Sequence, residues 1–296
     1  MRRWYLIAVP YIWLLVFFLI PFLIVFKISF SQTALAIPPY TPLFDISRGW
    51  EGVQDFLSHL SFDNYRFIFG DALYVNAYIS SLKIASISTF LTLLVAYPIA
   101  YGMARAPKEW QPTLVMLVIL PFWTSFLIRV YAWIGILKKE GLLNLALMNL
   151  GLISEPLTIM NTTTAVYIGI VYSYLPFMIL PLYASLEKIN PALLEAAADL
   201  GSPPIRSFWQ VTFPLSLPGI IAGCFLVFIP AMGEFVIPDL LGGSETLMIG
   251  KTLWSEFFAN RDWPVSSAVA VVLLLVLVIP IVLFQRNQQL QREKGV

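Results

Sequence analysis

The chain has 296 residues, of which 59% are hydrophobic and 12% charged, with a net charge of +1 and a mean hydropathy of +0.80. Soluble domains carry about 25% charged residues, so this composition excludes an ordinary soluble enzyme and a basic nucleic-acid binder and asks for a membrane protein. One cysteine, Cys224, in an apolar run, and one histidine, His59, in a polar stretch leave no internal disulfide and no Cys/His metal cluster to expect.

A helix needs about 20 apolar residues to cross a bilayer. Six stretches qualify, at about 5–30, 78–104, 112–137, 163–186, 217–240 and 264–285. The expected fold is therefore all-α, one transmembrane domain over residues 1–296. The first apolar stretch, Tyr5–Phe26, outruns a signal-peptide core and is followed by no A-x-A site, so it reads as a retained span despite Arg2-Arg3. The third is interrupted only by Arg129, and the fifth carries Glu234 and Asp239 near its end. Lys27 and Lys83 sit near span ends, where snorkelling accounts for them.

An even number of spans puts both termini on one side. That side holds Arg2, Arg3, Arg105, Lys108, Lys188, Arg206, Arg286, Arg292 and Lys294, nine basic residues in about 53, against six in about 97 on the other. The difference predicts cytoplasmic termini. Trp4, Tyr5, Trp110, Trp254 and Trp263 fall near span ends, as interfacial aromatics do.

Spans four and five are joined by a polar loop, 190–216. Asn190 is a good N-cap and Pro191 suits a first helical turn. Residues 191–200 are helix formers, and Gly201 can take the left-handed conformation that ends a helix. Ser202 and Pro203 repeat the start signal, and Pro214 and Pro218 are expected to break the chain before span five. Glu195 and Asp199, four apart, share one face, and Ala196 to Ala198 leave it smooth. Periodicity alone favours a solvated surface helix here.

The residues Glu195-Ala196-Ala197, Gly201, Pro214 and Leu217-Pro218 resemble the EAA loop of ABC importer permeases, in spacing and in position before the penultimate span. The resemblance implies the type I importer permease fold, with coupling helices that fit a cleft on a cytoplasmic ATPase. It assigns Glu195, Ala196, Ala197 and Gly201 to that contact, and Asp199, on the face of Glu195, is counted with them. Further segments, 10–30, 36–42, 121–138, 166–183 and 233–243, resemble the putrescine and spermidine permeases, most of all the first permease of the putrescine system. That resemblance implies a second, paralogous permease, an ATPase dimer that binds the ATP and magnesium, a periplasmic polyamine-binding protein, and the lipid of a bacterial inner membrane.

Polyamines are multivalent cations with apolar spacers, so their path calls for acids and aromatic faces. Glu234 lies among apolar residues, where an acid is costly and functional by default. It reads either as part of that path or as a structural pair with Arg129 or a partner subunit. Arg129 either repels small cations or holds Glu234. Tyr131, Trp133, Tyr172, Tyr174, Phe235 and Trp254 offer aromatic surface, although for any one of them packing is the better reading at 15% aromatic content. Asp239, beside Gly242-Gly243, faces the binding protein or a gate, or is an ordinary boundary residue.

No catalytic set or metal site is expected. Gly250-Lys251-Thr252 imitates the tail of a P-loop, but the earlier glycine that motif requires is Glu245. A secondary transporter is disfavoured by the lack of matching halves. A permease for another small solute remains the alternative, because the EAA loop is shared across cargoes.

Overall fold

The apolar stretches fold as helices because lipid satisfies no backbone polar group, and a helix pairs its own. A computed structural model describes residues 2–43, 54, 58, 60–244 and 246–293; His59 and Glu245 lie outside them. In chain order the helices are α1 (Arg2–Leu14), continued through a π turn at Leu15–Leu19 into α2 (Ile20–Ile28), then α3 (Asp63–Gly70), α4 (Ala72–Arg105) and α5 (Gln111–Ile119). They continue as α6 (Phe126–Leu137), α7 (Leu142–Asn149), α8 (Thr163–Leu186), α9 (Ala192–Asp199), α10 (Pro204–Ser207) and α11 (Phe213–Met232). The last are α12 (Val236–Leu240), α13 (Ile249–Phe258) and α14 (Trp263–Glu293). A two-stranded antiparallel hairpin pairs β1 (Gln32–Thr33) with β2 (Tyr40–Thr41).

Among the described residues, Ala8–Ile28, Ala72–Arg105, Thr163–Leu186 and Pro204–Met232 are each long and apolar enough to span a membrane. Gln111–Trp123 and Phe126–Asn149 together make a broken span, and Trp263–Ile279 is a shorter apolar helix. The expected all-α, multi-pass membrane fold is present.

Two spans differ from expectation. The third is not one rod: its halves meet at 87°. Pro121 lacks an N–H and crowds the preceding turn. The chain there tightens into a 3₁₀ turn at Leu120–Trp123, and Thr124 and Ser125 run extended before α6 starts. The fifth starts early and ends early. Pro214 and Pro218 do not break it: α10 runs through a π turn at Phe208–Thr212 into α11, Pro214 falls in the first turn of α11, and Pro218 lies inside that helix. It stops at Met232, and a break at 233–235 separates it from α12.

The chain divides into two compact units, residues 1–77 with 252–296, and residues 78–251. In the first, Asn64 donates to the carbonyls of Ser29 (2.9 Å) and Ser31 (2.8 Å), meeting acceptors left open at the end of α2. Thr33 donates to Asp262 at 2.8 Å and Tyr74 to Glu256 at 2.9 Å.

In the second unit the core is built from α4, α8 and α11, through Ala96, Ala100, Met103, Met178, Leu182, Leu186, Ile220 and Val227. Lipid tails are as apolar as leucine, so helices there are held by close packing and polar contacts rather than by exclusion of water. The α8–α11 contact uses both. Gly219 and Gly223 form a small-xxx-small step: a Cβ on Gly219 would stand 2.6 Å from the Ser185 Cβ, and one on Gly223 2.6 Å from the Met178 Sδ. Tyr97 and Ser216 share a 2.9 Å hydrogen bond from α4 to α11. Gly169 repeats the device on the other half of α8, where a Cβ would stand 2.8 Å from Ile237 on α12.

Candidate functional site

Two constellations in the second unit carry chemistry. The first is the corner between α8 and α11. Asn190 accepts through Oδ1 from the Ala192 N–H at 3.1 Å, an N-cap contact that starts α9. The helix ends in a Schellman motif: the Gly201 N–H donates to the Ala198 carbonyl (2.8 Å) and the Ser202 N–H to that of Ala197 (2.9 Å). Gly201 has φ +76°, the left-handed conformation expected of it. Ser202 does not cap the next helix: its hydroxyl accepts from the Ser207 hydroxyl at 3.1 Å, the N-cap is Pro203, and Pro204 opens α10.

On α9, Glu195, Ala196 and Asp199 are exposed and Ala197 is half-buried. Around the corner Leu193, Leu200, Ile205 and Trp209 are exposed too, Leu200 at 89%. Sequence reasoning singled out the acids and alanines and missed these four. The signal for them was present, in apolar residues placed in an otherwise polar loop.

The second constellation is a cavity of ≈ 560 Å³ where α6, α8 and the break after α11 meet. Glu234 is only 7% exposed and lies in that break. Its Oε1 accepts from the backbone N–H of Phe235 (3.1 Å), Val236 (3.0 Å) and Ile237 (3.4 Å), the open donors at the start of α12. Its Oε2 accepts from the Tyr174 hydroxyl. The buried carboxylate is thus held by a helix start and a phenol, and no ion pair with Arg129 forms. Arg129 lines the same cavity. Its guanidinium lies 4.9 Å from the Phe122 ring centroid and 5.8 Å from that of Phe126. Its Nε is buried without a hydrogen-bond partner.

The fold therefore brings Glu234, Tyr174, Phe235 and Arg129 together and adds Phe122, Phe126, Ser173 and Phe177, which sequence reasoning missed. It leaves the remaining path candidates elsewhere. Trp133 packs edge-on against Tyr172 at 5.3 Å, and both line a separate apolar groove between α4, α6 and α8. Tyr131 is 58% exposed on α6. Asp239 pairs with Lys251 at 3.2 Å. Trp254 belongs to the other compact unit, where its ring lies 4.1 Å from that of Phe258.

The P-loop look-alike has a structural explanation. Gly250 starts α13 pressed on the Gly233–Glu234 backbone, where a Cβ would stand 2.6 Å from the Glu234 carbonyl, and Lys251 is the partner of Asp239.

A multi-pass set of membrane-length helices with an exposed two-helix corner defines a membrane-embedded transport subunit. The chain matches, over residues 4–290, the family described as binding-protein-dependent transport system inner membrane component, and it belongs to that family as a permease subunit of an ABC importer. It is 40% identical to the spermidine/putrescine transport system permease protein PotB of Haemophilus influenzae, over 97% of this chain and 94% of that one. It is 43% identical to the Escherichia coli protein of the same name, over 78% and 84%. These relatives are named for spermidine and putrescine together, without preference for either. The chain also superposes on a solved bacterial ABC transporter involved in the import of alginate, an acidic polysaccharide, with TM-score 0.70, 18% identity and coverage of 98% and 96%. At that identity the likeness carries the fold and not the cargo.

Proposed function

We propose that this permease passes polyamines, putrescine and spermidine, into the cytoplasm. In this reading it receives them from a periplasmic binding protein, pairs with a second permease, and is driven by an ATPase dimer that binds ATP and magnesium. The observation that carries the cargo is the 40% identity, across nearly the whole chain, to a permease named for spermidine and putrescine. The cavity supports it: a buried carboxylate among Phe122, Phe126, Tyr174 and Phe177 offers an alkylammonium both charge and aromatic faces.

The same reading puts both termini and the α9–α10 corner in the cytoplasm, on the basic side of the chain. There the Schellman turn presents Glu195, Ala196, Ala197, Asp199 and Gly201, with an apolar rim, to the ATPase. A surface-exposed apolar rim of this kind marks a protein contact.

The test is uptake by the reconstituted complex against putrescine, spermidine, a sugar and an amino acid. The expected result is accumulation of polyamine alone. Accumulation of the sugar or the amino acid instead would move the chain to another cargo within the same family.

A further inference from the structure

We infer that Arg129 is a resident cation that competes with cargo for the aromatic faces of the Glu234 cavity, and so lowers the affinity of that cavity for a diamine relative to a monoamine. The inference rests on the polyamine reading above. Its observations are local. Arg129 lies one turn after the bend at Thr124–Ser125, and its guanidinium rests on Phe122 and Phe126. Phe122 in turn meets Phe177 edge-on at 5.2 Å, and Phe177 neighbours Tyr174 at 6.1 Å. One aromatic wall therefore runs from the arginine to the phenol that holds Glu234.

An alkylammonium binds such a wall through the same ring faces that the guanidinium now covers. The Arg129 Nε is buried without a hydrogen-bond partner among the described residues, and a buried unmet donor is costly, so the ring faces are the contacts that hold the arginine there. Glu234 makes no ion pair with it; its oxygens accept from the start of α12 and from Tyr174.

A monoamine entering this cavity must take either the phenyl faces from Arg129 or a place beside Glu234, while the arginine charge repels it. A diamine that sets one ammonium at each end must displace the arginine from the phenyl faces, and meets its repulsion on both charges. Arg129 is then a selectivity residue acting through occupancy, and its loss favours diamines more than monoamines.

The experiment measures equilibrium binding of putrescine and n-butylamine to the purified transporter, both permeases with the ATPase but without the binding protein, in the wild type, R129Q and R129K. The expected result is a putrescine affinity that rises roughly 30-fold in R129Q, the size of one desolvated cation–π contact, with butylamine changing less and R129K behaving as the wild type. An unchanged ratio of the two affinities in R129Q, or R129K matching R129Q, overturns the inference. Binding of neither amine by any variant overturns it as well. Polyamine uptake by the wild-type complex is run alongside: its absence defeats the functional reading, whereas normal uptake with an unchanged ratio defeats only the role of Arg129.

Discussion

Gly201 offers a substitution whose cost is purely conformational. Its φ of +76° is left-handed, and a Cβ built on it meets nothing within 4 Å. Size therefore does not enter; only the backbone penalty does. For an ordinary L-residue that penalty is about 1–2 kcal/mol, which reduces the population of the native corner by a factor of about 5–30. Asparagine tolerates the left-handed region better than alanine, and a β-branched residue tolerates it worst. If the Schellman turn presents the coupling surface, the apparent affinity of the ATPase for the permease falls in the order Gly, Asn, Ala, Val. The Gly201→Ala loss is at most about 30-fold, because the apparent constant scales with the fraction of competent conformer. The assay is a titration of the purified ATPase onto the permease pair in nanodiscs, with coupled transport measured in parallel. An order that follows side-chain volume, with Asn below Ala, would refute the conformational argument. Unchanged binding in Gly201→Val would refute the coupling role of the corner.

Other outcomes follow from the same geometry. Glu234→Gln keeps a carbonyl oxygen for the three N–H groups that start α12, so the complex assembles and polyamine transport falls; transport at the normal rate in that variant would count against a role for the charge. Glu234→Ala leaves those donors unmet in a buried place, at a cost of about 1–3 kcal/mol each, and is expected to lower the thermal midpoint in detergent where Gln does not. Gly223→Val drives a branched side chain into Met178, whose Sδ already stands 2.6 Å from a built Cβ; separation of α8 from α11 should show as early thermal unfolding, and an unshifted midpoint would contradict the packing described. A cysteine placed at Ser202 in a Cys224→Ser background should react with an impermeant maleimide only from the cytoplasmic side; labelling from outside would invert the topology.

Local rules carried well where the structure is local. Gly201 followed from helix-stop chemistry and Asn190 from N-cap chemistry, and both hold at atomic detail. The spans were legible because lipid imposes a minimum apolar length. The failures share another cause. Pro121 breaks its span whereas Pro214 does not; Pro214 falls in the first turn of α11, behind a π turn at Phe208–Thr212 that no residue type announces. Glu234 invited a charge partner, but its partners are backbone N–H groups created by a break in the helix. Phe122, Phe126 and Phe177 were indistinguishable from other aromatics in a chain so rich in them, until the 87° bend brought Arg129 and its phenyl faces into one cavity with Tyr174 and Glu234.

The central claim, a polyamine permease with an external motor, is tested most directly by leaving out components. Proteoliposomes holding this chain and its partner permease are supplied with radiolabelled putrescine and spermidine, with the ATPase, ATP and binding protein omitted one at a time. Accumulation against the gradient is expected only when all are present. Accumulation without the ATPase, or driven by an ion gradient alone, would contradict it.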